Sequence, residues 1–72
     1  MALAMMAPGQ IGTIQSFRAK DEVKRHLQNL GFVAGEKVQV LSETSSGMIL
    51  LVKDVRIALN RGLANKIMVE FQ

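Results

Sequence analysis

His26 is the sole histidine of the chain, and cysteine is absent. A transition-metal site would have to join His26 to carboxylates distant in sequence, a sparse donor set. Ser16, Ser42, Ser45 and Ser46, with Asp21 and Asp54, supply the residue types of a nucleophile–base–acid arrangement. Neither their spacing nor their flanking sequence supports one. Gly9 and Gly12 follow Ala7-Pro8, but no Lys-Ser/Thr comes after them and no helix pattern starts there, so they are not a phosphate loop. Of the five methionines, Met1, Met5 and Met6 lie in the opening segment, and Met48 and Met68 lie in strand-like runs where packing is the expected use. A chain of 72 residues also has little room for a concave substrate pocket. The expectation is no enzyme, no metal site and no resident cofactor.

Binding is the remaining class of function. Nine Lys/Arg against six Asp/Glu give a net charge of +3. The basic residues are scattered, and Asp21 and Glu22 interrupt the one local concentration, Arg18 to Arg25. That is a solvated surface suited to an acidic partner or a membrane-proximal site. Grooves for Pro-rich peptides and for single-stranded nucleic acid are lined with aromatics. Here Trp and Tyr are missing, and the three phenylalanines, Phe17, Phe32 and Phe71, fall at positions expected in the core. A protein–protein adaptor fits best. The alternative is an SH3-like RNA- or ribosome-associated module that uses the scattered Lys/Arg on phosphates.

The elements that must position such a surface follow from periodicity. "QIGTIQSF" (10–17) predicts a strand, with a turn at Gly9 and a bulge or close backbone approach at Gly12. In "KDEVKRHLQNL", Val23, Leu27 and Leu30 form one apolar stripe on a helix over about residues 21–30. Asp21 can cap that helix, or Asp21 and Glu22 together can face its dipole. Gly31 follows the last apolar position and predicts a left-handed residue just past the C-cap, with Phe32 folding back on Leu27. Gly35 stands third in "VAGE", where a type II turn needs positive φ.

After this double reversal, "KVQVL" predicts a strand, "SETSSG" (42–47) a polar loop, and "MILLV" (48–52) a strand apolar on both faces. "KDV" is a tight connection, "RIALN" a short strand, "RGLAN" (61–65) one helical turn, and "KIMVEF" the last strand. Five strands this short hide their edges by curling. The predicted fold is mainly β: a small SH3-like five-stranded barrel with one inserted helix and a short helical turn before the last strand. One domain spans residues 1–72. Such a chain buries only about 60–65% of its unfolded surface, so its core is thin. Its apolar runs fall short of the ~20 residues of a membrane span. "MALAMMAP" lacks the charged start of a signal peptide and predicts a segment laid across the domain.

Two stretches carry a family resemblance. "LQNLGFVAGEKVQVL" is similar, through Leu27, Leu30, Gly31, Phe32 and Gly35, to the hallmark of the FeoA family, small cytosolic components of bacterial ferrous iron uptake. "RIALNRGLANKIMV" resembles the second hallmark through Ile57, Ala58, Leu59, Arg61, Ala64, Ile67 and Val69. Leu3, Met6, Gly9 and Ile14 match the family's opening pattern, so the resemblance spans nearly the whole chain. Ala34 stands where the family commonly has Pro, and His26 where Arg is usual. The resemblance implies an SH3-like barrel and a partner, the FeoB membrane transporter with its cytosolic nucleotide-binding region. It also implies a cytoplasmic location, with membrane association only through that partner. A related domain ends iron-dependent transcriptional repressors, but no helix-turn-helix is present here. The expected docking surface lies around the helix end and the short turn: Arg25, His26, Asn29, Val33 and Arg61.

Overall fold

The computed structural model describes residues 1–71. Five strands, β1 (Ile11–Phe17), β2 (Lys37–Glu43), β3 (Gly47–Val52), β4 (Val55–Asn60) and β5 (Ile67–Phe71), form one antiparallel sheet in the order β4-β3-β2-β1-β5. A 3-10 turn (Leu3–Met5) precedes β1, helix α1 (Asp21–Asn29) follows it, and the one-turn helix α2 (Arg61–Ala64) precedes β5. The sheet curls where its register slips, between Ile14 and Ser16 on β1 and between Val40 and Ser42 on β2. An extra residue at each slip bends its strand. The bulge therefore falls beyond Gly12. Gly12 instead meets β5 closely: a Cβ there would lie 3.1 Å from the Glu70 oxygen.

Alternation fixes the inner face. Ile14 of β1, Val38 and Val40 of β2, Met48, Leu50 and Val52 of β3, Leu59 of β4, and Ile67 and Val69 of β5 are buried. β3 has a paired strand on each side, the interior position its apolar run predicts, with Ile49 and Leu51 half-buried on the outer face. Leu27, Phe32 and Ala64 plug the ends of this core, and Leu3, Ala4 and Met6 complete it. The opening segment crosses onto β5: the Met1 nitrogen donates to the Val69 oxygen at 3.1 Å, the Val69 N–H donates to the Met1 oxygen at 2.8 Å, and Ala2 bridges Met68.

Helix α1 ends as its glycine requires. The Phe32 N–H donates to Leu27 O at 3.1 Å and the Gly31 N–H to Gln28 O at 3.0 Å, the paired bonds of a Schellman ending, with Gly31 at φ +111°. Gly35 has φ +91°, and Glu36 N–H donates to Val33 O to close the second turn. That turn is pinned to β1, because Gly35 N–H donates to Ile14 O at 2.8 Å and Ile14 N–H donates to Glu36 O at 2.9 Å.

At the start of α1 the second of the two readings holds: Lys20 is an N-cap lacking a side-chain bond, and Asp21 and Glu22 occupy the first turn near the positive dipole end. Several expectations are corrected. Leu30 is 38% exposed, since α1 ends at Asn29 and the reversal seats Phe32, not Leu30, in the core. Phe71 is 53% exposed at the last position of β5, where it pairs with Gly12. Phe17 is half-buried at the core's edge, with Lys24 Nζ 5.9 Å from its ring centre. The loop after β2 shrinks to residues 44–46, because Thr44 and Gly47 bond to each other and extend both strands.

Candidate docking surface

At about 100° per residue, Arg25, His26 and Asn29 fall within one sector of α1, opposite Leu27. Leu27 is fully buried and these three are exposed. Asp21 and Glu22 share that side, so the face mixes charges and is no cation track for a phosphate backbone. Arg25 and His26 form no ion pair; the one ion pair among the described residues joins Lys53 Nζ to Glu36 at 4.0 Å. Their polar ends are therefore available to a partner. Val33 opens the type II turn beyond the helix and is half-buried. The structure thus gathers Arg25, His26 and Asn29 on one helix face, with Val33 following at its C-terminal end.

Arg61 stands elsewhere. It opens α2, whose N-cap Asn60 accepts from the Leu63 N–H at 2.8 Å. α2 packs on β3, β4 and the 3-10 turn, and no comparable packing links it to α1. Although the residue is exposed, its Nη1 donates to the Ala4 oxygen at 3.3 Å. Arg61 therefore ties the opening segment to α2. Sequence reasoning missed this role because the two residues are 57 apart and nothing local announces the contact.

Open concavities of about 380 and 240 Å³ dent the surface formed by the described residues. Neither is lined by any of the five expected docking residues or by His26 with carboxylates. Among the described residues, no three His, Cys, Asp or Glu gather where they could hold a metal ion.

A protein-family model described as the FeoA domain matches residues 1–71. The crystal structure of an iron uptake regulatory protein, FeoA, is similar at 30% identity, covering 100% of this chain and 97% of that one with a TM-score of 0.93. The zinc complex of Stenotrophomonas maltophilia FeoA, described as a prokaryotic SH3 domain protein and proposed as a ferrous iron transport activating factor, is 26% identical. It covers 97% of this chain and 89% of that one, with a TM-score of 0.85. A manganese-dependent transcriptional repressor shares the fold at 17% identity and a TM-score of 0.89, over 100% of this chain but 41% of its own. No curated protein matches the chain by sequence.

Proposed function

The chain belongs to the FeoA domain family, and from that premise we propose that it is a non-enzymatic accessory component of ferrous iron uptake that docks on the cytosolic part of a FeoB-type transporter. Residues 1–72 act in this reading as one FeoA-like unit. The observation that carries it is the exposed face of α1, where Arg25, His26 and Asn29 have no role in the core. Side chains that the fold does not need are free to serve a partner. Val33 extends this face, and Arg61 contributes from the second hallmark. No helix among the described residues is long and apolar enough to cross a membrane. In this reading the protein works on the cytoplasmic side and reaches the membrane through its partner, and ferrous iron is the transporter's cargo rather than a resident ion.

The test is a titration against the cytosolic region of a FeoB-type transporter, paired with melting curves. Arg25→Glu should change stability by no more than about 0.5 kcal/mol, as for most surface substitutions. Binding should fall at least about tenfold, roughly 1.4 kcal/mol. Arg61→Glu is a less clean probe, because it also releases the Ala4 oxygen. If Arg25→Glu folds and binds like the parent, the docking surface lies elsewhere. If the parent ignores that region and binds RNA with a steep salt dependence, the RNA-binding reading replaces this one.

A further inference from the structure

The two edges of the sheet are treated differently. The outer edge of β5 is occupied by the chain's own Met1 and Ala2, which bond to Val69 and bridge Met68 as a short added strand. Among the described residues, nothing covers the outer edge of β4 in this way. β3 and β4 are joined by the two-residue turn Lys53-Asp54, with both residues at positive φ and Val52 opposite Val55. In a two-residue hairpin the flanking pair exchanges both of its hydrogen bonds, so Val55, Ile57 and Leu59 turn their backbone groups toward β3. Arg56 and Ala58 then point theirs outward. No hydrogen bond to another described residue engages those groups. The Arg56 guanidinium forms no ion pair with another described residue either.

The side chains beside this edge set the chemistry of an occupant. Arg56 and Ala58 pair with Leu51 and Ile49, which places both on the outer face of the sheet. Val55 and Ile57 pair with Val52 and Leu50, which places them on the inner face; Val55 is 56% exposed and Ile57 half-buried. A strand added to β4 would meet a cation on one face and apolar side chains on the other. A second copy of the chain would bring another Arg56 and another net charge of +3, so charge favours a different partner.

We infer that the free edge of β4 accepts an extended strand of alternating acidic and apolar residues from a partner protein. Main-chain bonds to Arg56 and Ala58 supply the attachment, Arg56 selects a carboxylate on the outer face, and Val55 and Ile57 take apolar side chains on the inner face. This edge is separate from the exposed face of α1, and the inference stands without that docking surface.

The probe is a capped peptide alternating glutamate and valine, titrated into the full chain and followed by amide NMR. The Arg56 and Ala58 resonances should shift and their hydrogen exchange should slow. A lysine–valine peptide should bind at least about tenfold more weakly, and Arg56→Glu should invert that preference. Ala58→Pro removes an outward N–H, a change that an edge strand tolerates, and should cost at least about tenfold in binding at an unchanged melting temperature. Should that variant misfold, the parent with a peptide N-methylated along its β4-facing edge gives the same answer, again at least about tenfold weaker. Any of these results would overturn the inference: no shift at Arg56 and Ala58 with millimolar peptide, equal binding of the N-methylated peptide, or shifts confined to α1. Shifts at β4 that depend on protein concentration without peptide would also overturn it, since a second copy would then hold the edge.

Discussion

Gly31 and Gly47 are both irreplaceable for backbone reasons, and the reasons differ. At Gly31 there is room: an added Cβ would meet only Val52, at 3.8 Å. The constraint is the φ of +111° demanded by the Schellman ending. Gly31→Val should therefore cost at least about 1–2 kcal/mol, and Gly31→Asn less, because Asn tolerates left-handed conformations better. At Gly47 a Cβ would collide with the backbone oxygen of Leu59 and lie 2.9 Å from Asn60 Cα. Backbone cannot rotate away as a side chain can, so Gly47→Ala should cost roughly 2–3 kcal/mol, and Asn should offer no relief. Urea midpoints for the four variants check this; equal costs for Gly31→Val and Gly31→Asn would contradict the conformational account. Gly31 was legible because a helix ending is local in sequence. Gly47 looked like one more residue of a polar loop, because its crowding comes from β4. For His26, exposed on α1 with no gathered carboxylates, calorimetry with ferrous or zinc ions should find no site tighter than about micromolar.

Among the elements, the β3–β4 hairpin is the one whose sequence disagrees with its geometry. Two-residue hairpin turns favour Asn-Gly or Asp-Gly, since both central residues take positive φ. Here Lys53 sits at φ 52° and Asp54 at φ 63°. Asp tolerates this region, whereas Lys pays a steric cost between Cβ and carbonyl. The Lys53–Glu36 pair does not compensate: it is partly solvent-exposed and spans 4.0 Å, which is worth little. Lys53→Asn with Asp54→Gly should raise stability by about 1 kcal/mol, a shift of several degrees in melting temperature for a domain this size. Asp54→Gly alone should give less, because added backbone entropy offsets part of the relief. The strands and α1 were legible because apolar periodicity reports which residues face inward. Leu30 and Phe71 obeyed that periodicity and still escaped burial: periodicity gives direction, and only the neighbouring elements decide whether anything covers the residue. The face of Arg25, His26 and Asn29 could be read from the same pattern by subtraction, while Arg61 and the open edge of β4 depend on long-range neighbours.

At the scale of the whole molecule, the opening segment is part of the core. In the 3-10 turn, residues three apart lie on the same side. Leu3 and Met6 accordingly point inward, 0% and 1% exposed, while Met5 between them is 72% exposed. The segment is held from two directions, by β5 through Met1 and Ala2 and by α2 through the Arg61–Ala4 bond. A chain of this length has a total stability of roughly 4–10 kcal/mol. Leu3→Ala should remove about 2–4 kcal/mol of it through lost burial and the cavity left behind. Met5→Ala, facing solvent, should stay within about 0.5 kcal/mol. Arg61→Ala should fall between the two, at about 1 kcal/mol, because it removes one long, part-buried hydrogen bond of 3.3 Å. Thermal melts of the three variants test the ranking. If Leu3→Ala melts with the parent, the segment merely lies on the surface, and the core consists of the sheet, α1 and α2 alone. If Arg61→Ala costs as much as Leu3→Ala, the bond to Ala4 is what holds the segment in place, and Arg61 is needed for the fold before it can serve any partner.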